Sequence, residues 1–157
     1  MFAKLRRTFQ YLDKKTFVPL YKSIVRKHLD FASSAWYPYK VKHIEQIEAV
    51  QRRATRQIPS FKNMSYPERL KELKLPTLSY RCIRGDMIEL FKIIKEGYNP
   101  QASNFIQLWQ DAASRTDNRG HDLKVFPKQA RPCLRRNTFG IRNVQTWNSL
   151  PSNVVNE

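Results

Sequence analysis

The sequence predicts a mainly α-helical fold: an antiparallel helical bundle followed by a smaller, loop-rich C-terminal extension with short helices. Three observations predict it. Apolar residues recur at helical spacing through most of the span from residue 16 to residue 96. Residue types that start and stop helices bracket those stretches. Only one short segment, "LKVF" at 123–126, reads as a strand. The expected division is a helical unit over 1–98 and an extension over 99–157.

The elements follow in order. Residues 2–12 read as a short helix. Thr16 is the expected N-cap of the next, with Pro19 in the first turn, where a missing N–H does no harm. Phe17, Leu20, Tyr21, Ile24, His28, Phe31 and Ala35 recur on one face, which carries this helix to about Ala35, and Lys22 and Arg26 fall on the opposite side. "WYPYK" (36–40) ends it, because Pro38 restricts Tyr37 as well.

The following helix spans roughly 41–58 and is stopped by Pro59. In "SYPERL" (65–70) Ser65 stands at a cap with Glu68 three residues on and Pro67 in the first turn, the pattern of a capping box, and that helix ends near Leu73. Between about 78 and 96, Tyr80, Ile83, Met87, Leu90, Phe91 and Ile94 share a face, and Gly97 fits as the stop. Gly85 inside it costs about 1 kcal/mol against alanine, which implies close packing or a bend. Beyond "YNPQ" (98–101) come a short helix around 103–112, the polar loop "SRTDNRGHD" (114–122), the brief strand, and a helix in "FGIRNVQTWNSLP" (139–151) halted by Pro151.

Charge is the unusual property. The chain carries 29 basic and 13 acidic residues, a net +16. Such an excess repels itself in a compact monomer and points to a polyanionic partner. It is unevenly placed: residues 1–60 are net +9, 61–100 net +3 and 101–157 net +4. Two cysteines, Cys82 and Cys133, cannot build a disulfide framework and read as thiols of a reducing compartment. No apolar run approaches a membrane span, and the N-terminus lacks the apolar core of a signal peptide. The expected location is nuclear or cytoplasmic, not secreted.

Within "EQIEAVQRRATRQIPS" (45–60) the charge has a direction. Wrapped at about 100° per residue from Ile47, Ile44, Val50, Ala54 and Ile58 fall within about 60° of it. Arg52, Arg53 and Arg56 fall at about 140°, 240° and 180°, on the opposite face. A cationic ridge therefore runs behind an apolar stripe. Glu48 stands one turn before Arg52 and can pair with it, but one such pair cannot neutralise three arginines. Planar guanidinium donors suit phosphate oxygens, so the ridge reads as a phosphate-binding surface. Lys22 and Arg26 extend it if the two helices pack antiparallel; Lys40 and Lys42, at the connecting loop, are placed similarly. Gln51, at the edge of the apolar stripe, reads as a structural amide bonded to backbone across a helix interface.

Other residues have plainer readings. Trp36, Tyr37 and Tyr39 beside Lys40 either stack on bases or plug the end of a bundle, and the plug is favoured. Trp109 and Trp147 read as core anchors. His28 reads as a core histidine and His43 as exposed. His121 with Cys133 lacks further ligands at zinc spacing, and neither cysteine has the partners of a nucleophile, so no metal, cofactor or catalytic residue is expected. Arg115, Arg119, Arg131, Arg135, Arg136 and Arg142 punctuate the tail; "RPCLRRN" (131–137) suits nucleic acid or an import signal, whereas Arg142 between apolar neighbours suits a paired structural role.

Five blocks, "LYKSIVRKHLDFASSAWYP" (20–38), "IEAVQRRATRQIP" (47–59), "SYPERLKELKLPTLSYRCIRGDMIELFKI" (65–93), "RGHDLKVF" (119–126) and "FGIRNVQTWNSLP" (139–151), follow one another in order. That succession resembles the region C-terminal to the palm in non-LTR retrotransposon reverse transcriptases, the jockey-like and related endonuclease–reverse transcriptase lineages. Departures are Cys82, where the family usually has a second basic residue, and Thr138 and Thr146, where apolar residues are common. The resemblance implies a helical thumb, which closes over the template–primer duplex, followed by a post-thumb extension. It implies an RNA–DNA hybrid or duplex as partner, and the palm and fingers of the polymerase as neighbours. Such polymerases need palm aspartates to hold two metal ions. No adjacent Asp-Asp occurs in this sequence, so the chain alone is expected not to polymerise. The alternative expectation is an assembly module whose basic face docks the polymerase core or another acidic protein; membrane binding is disfavoured.

Overall fold

A computed structural model describes residues 13–96, 106–111 and 120–156. The expected helix at 2–12, the Gly97 stop and most of the helix and loop expected between 103 and 119 lie outside the described residues. What is described is mainly helical; among the described residues the only β-pairing is a single antiparallel bridge between Leu108 and Val125. The chain divides into two compact units at Cys82/Ile83, earlier than the expected 98/99 boundary. The reason lies in one helix, α6 (Leu78–Phe91), whose later residues Leu90, Met87 and Phe91 belong to the second core.

In the first unit, Asp13 rather than Thr16 caps α1 (Lys14–Leu20): its carboxylate accepts the Thr16 N–H at 2.8 Å. Pro19 is therefore well inside the helix, where its ring removes one bond of the ladder. A widened π-type stretch, Tyr21–Arg26, follows directly and leads into α2 (Lys27–Asp30). The wider turn changes which residues face inward. Phe17, Tyr21 and Val25 are buried with Leu29 packed behind them, a spacing of four, while His28, Phe31 and Ala35 turn to solvent. His28 is thus not a core histidine. Ala32, at φ 50°, then breaks the chain direction before α3 (Ser33–Trp36).

After "YPYK", α4 (Val41–Thr55) ends short of the expected 58 and delivers Val50 and Ala54 to the same core. Ile58 joins them from the extended residue beyond its end, while Ile44 and Ile47 of the expected stripe are half-buried outside that cluster. A 3-10 turn, Pro59–Phe61, and the capped helix α5 (Tyr66–Leu73) close it with Phe61, Leu70, Leu73 and Leu75. At the start of α5, the Ser65 N–H and hydroxyl both donate to Glu68, at 2.8 and 2.7 Å. At its end Lys74 adopts the left-handed conformation (φ 51°), and the Leu75 N–H returns to the Leu70 carbonyl at 2.9 Å.

On α6 the buried face is Leu78, Cys82, Asp86 and Leu90, while Tyr80 and Ile83, expected inside, are exposed. The second unit is organised around Trp147, with Leu90, Val125, Val144 and Val155. The "FGIRNVQTWNSLP" helix is two pieces, α8 (Phe139–Arg142) and α9 (Val144–Asn148), preceded by α7 (Cys133–Arg136) and followed by α10 (Ser152–Val155). Asn148 explains why "LKVF" is no full strand: its side-chain amide takes the Val125 N–H and gives to the Val125 carbonyl, both at 2.9 Å, standing in for a neighbouring strand. Trp109 lies edge-on to Phe126. No described helix is long and apolar enough to cross a membrane.

Candidate nucleic-acid interface

The fifteen residues of α4 span about 22 Å. Its C-terminal end carries Arg52 and Arg53 in the last turn and Arg56 at the C-cap, and all three side chains are exposed. Among the described residues no carboxylate lies within 4.0 Å of any of them; the ion pairs formed are Lys14–Glu72, Arg26–Asp30, Arg81–Asp30 and Arg142–Asp86. Cations at a helix C-terminus face the negative end of its dipole, so the fold tolerates this ridge.

Glu48 explains why Arg52 is unpaired. Its side chain is half-buried on the flank of α4: one oxygen accepts the Tyr66 hydroxyl, the other the Leu78 N–H at 3.0 Å, at the first residue of α6. Beside it, Gln51 is fully buried and accepts the Tyr21 hydroxyl at 2.6 Å. Its Nε2 donates to the Pro76 carbonyl at 2.9 Å and to the Tyr66 hydroxyl at 3.2 Å. The backbone bond expected of Gln51 is therefore present, with two tyrosines besides. Burial pushes both phenols well above the usual tyrosine range, the Glu48 hydrogen bond adding to the effect at Tyr66. The acid that sequence spacing offers to Arg52 is thus engaged in the interior.

Arg69 is a member of this region that the sequence reading passed over. It is 2% exposed, has no carboxylate partner among the described residues, and bonds two carbonyls, Ser65 at 3.4 Å and Arg52 at 3.3 Å. The Tyr66 ring lies under two guanidiniums, Arg52 at 5.3 Å and Arg69 at 5.7 Å. Burial lowers the Arg69 pKa from the ordinary arginine value, and the charges of Arg56 and Arg52 lower it further. The one available clue was its position: Tyr66, Arg69, Leu70 and Leu73 repeat at the spacing of a buried face.

The remaining candidates divide. Lys22 is exposed and has no ion pair among the described residues. Arg26 is not free: its Nε lies 3.6 Å from Asp30, which the Arg81 guanidinium also holds through bonds of 2.6 and 3.2 Å. Lys40 and Lys42 are exposed at the other end of α4, Lys40 with its ammonium 5.9 Å from the Tyr39 ring centre. On the wheel that places the arginines, Lys42 falls at about 220°, hence on their face, about 15 Å along the axis from Arg52. Glu45, also exposed, lies between them.

Trp36 and Tyr39 are exposed and Tyr37 is half-buried, so the plug expected of this cluster is not formed by the first two. In the second unit Arg131, Arg135 and Arg136 are exposed; Arg142 donates to the buried Asp86 at 2.9 and 3.2 Å, the structural pair its neighbours suggested. Arg115 and Arg119 lie outside the described residues. His121 is buried against Trp147, whose carbonyl lies 3.1 Å from its Nε2, and Cys133 is exposed; among the described residues no three metal-ligating side chains gather. No family model, curated protein or solved structure matches this chain.

Proposed function

We propose that this chain is the thumb and post-thumb region of a non-LTR retrotransposon reverse transcriptase, a non-catalytic module of the nucleus or cytoplasm. Its role is to grip a template–primer, an RNA–DNA hybrid or duplex, through backbone phosphates while a separate palm performs the chemistry. One observation carries the reading: three exposed guanidiniums on one helix end, without a carboxylate within 4.0 Å among the described residues, because Glu48 is engaged by Tyr66 and Leu78. Phosphates of any sequence satisfy such a ridge, so binding is positional and does not read bases. The A-like shape of a hybrid favours contacts of this kind.

Lys22, Lys40 and Lys42 add reach. With the three arginines alone engaged, log K against log salt has a slope of about −2.7; with the three lysines added it approaches about −5.4. The test is titration of the full chain with a hybrid duplex across a salt series. A slope in that interval, reduced by about 0.9 for each of Arg52→Ala, Arg53→Ala and Arg56→Ala, is the expected result. A slope near zero, or one indifferent to all three substitutions, rejects the grip.

A further inference from the structure

Residues 31–41 of the first unit expose an unusual run of aromatic surface. Phe31 is 79% exposed, and Trp36 and Tyr39 are each 41% exposed, all three within a few residues of sequence on either side of and within α3. The exposure has a structural cause. The widened turn after Pro19 rotates Phe31 away from the core, and the left-handed Ala32 redirects the chain into α3. Trp36 is held there: its indole N–H donates to the Phe31 carbonyl at 2.6 Å, so ring and backbone form one fixed piece. The Lys40 ammonium lies by the Tyr39 ring, and Lys42 is exposed in the next turn. Of the acids flanking this stretch, Asp30 is already engaged by Arg26 and Arg81, and the exposed Glu45 lies within 4.0 Å of no lysine or arginine among the described residues.

An apolar docking face for an ordinary protein would not be rimmed by unpaired lysines within a segment of strongly positive charge. Rigid rings flanked by cations match unpaired nucleotides, whose bases offer π-faces and whose phosphates are spaced along the backbone. The geometry points to a second nucleic-acid subsite: Phe31, Trp36 and Tyr39 form a stacking platform for single-stranded nucleic acid, with Lys40 and Lys42 holding its phosphates. The proposal rests on the nucleic-acid reading of α4 and deepens it. Lys42 shares the arginine face, about 15 Å along the helix from Arg52, so a duplex held at the C-terminal end of α4 can continue as an unpaired strand past Lys42 toward the rings.

The test uses the full chain with two probes, a short oligothymidylate and a blunt RNA–DNA hybrid. Phe31→Ala and Tyr39→Ala remove exposed side chains, and far-UV circular dichroism checks that helix content is kept. Each should weaken oligothymidylate binding about tenfold while leaving the blunt hybrid within about twofold. Stacking on Trp36 also has an optical signature: oligothymidylate should quench tryptophan emission, and Trp36→Phe should abolish the quench while affinity is largely kept. Unchanged oligothymidylate affinity in both alanine variants, or a quench that survives Trp36→Phe, overturns the platform. So does a result in which Phe31→Ala abolishes binding to anionic vesicles but not to the oligonucleotide. Loss of hybrid binding in Arg52→Ala, Arg53→Ala and Arg56→Ala, with the Trp36 quench intact, supports both sites separately. A wild type that quenches with oligothymidylate but ignores the hybrid supports the platform and rejects only the grip.

Discussion

Replacing Gln51 by leucine should damage the first unit through particular stranded groups. The side chains are similar in size, so the change is mainly one of hydrogen bonding. Gln51 makes three bonds; without it the Tyr21 hydroxyl has no acceptor and the Pro76 carbonyl no donor, whereas the Tyr66 hydroxyl keeps Glu48. A buried polar group left unpaired costs about 1–3 kcal/mol. Taking about 1.5 kcal/mol for each of two groups, Gln51→Leu should cost about 3 kcal/mol. Tyr21→Phe alone strands one oxygen of Gln51 and should cost about 1.5 kcal/mol. In the double variant the hydroxyl and its acceptor are both gone and only Pro76 is stranded, so the total returns to about 1.5 kcal/mol. The cycle therefore predicts a coupling of about 3 kcal/mol, at the upper end for residues in contact. Urea unfolding followed by circular dichroism reads it, provided the m-value is constant across the four proteins. Additive costs, with the double variant near 4.5 kcal/mol, would refute the network as the reason these residues are buried together.

Other consequences are simpler. Lys74 occupies a left-handed position where glycine is unstrained, so Lys74→Gly should raise stability by about 0.5–1 kcal/mol in the same urea assay. Arg142→Met leaves the buried Asp86 charge without this partner and should cost about 3 kcal/mol, most of it recovered in the pair Asp86→Leu/Arg142→Met. Hydrogen bonds from Thr16, Ser65 and Lys14 hold Asp13, Glu68 and Glu72 below their ordinary values of 3.8, 4.5 and 4.5. Depressed carboxyl pKa values mean the folded chain binds fewer protons than the unfolded one. Their stabilisation is thus complete above about pH 4.5 and is lost as pH falls through the folded values. The urea midpoint should fall on acidification through that range, and Glu68→Gln should flatten the fall.

Much of the first unit was legible because its signals are local. The capping box at Ser65–Glu68 and the α4 stripe depend on residues within one or two turns of each other, and both are present. The first helix misled for a physical reason. At 3.6 residues per turn its apolar pattern places His28 and Phe31 inside; the wider turn after Pro19 holds spacings of four in register instead. Asp13, not Thr16, took the cap because either side chain can accept an N–H two or three residues on. The bridge where a strand was expected depends on Asn148 reaching Val125 across 23 residues of sequence. No window of ordinary width contains that information.

The candidate site shows the same limit, with a consequence that separates two accounts of the arginine ridge. The direction of Arg52, Arg53 and Arg56 follows from helical phase alone. Whether they are free does not, because it depends on Glu48, whose partners Tyr66 and Leu78 lie 18 and 30 residues away. If Glu48 paired with Arg52 in solution, Glu48→Ala would release one cation and steepen the salt slope of hybrid binding by about 0.9. With Glu48 bonded to Tyr66 and to the first N–H of α6, the same substitution should leave that slope unchanged. It should instead lower stability by about 2–3 kcal/mol, from the stranded Leu78 N–H and a Tyr66 hydroxyl reduced to its longer bond with Gln51. A steeper slope with stability intact would return Glu48 to the surface as the partner of Arg52, leaving Arg53 and Arg56 alone as the free end of the ridge.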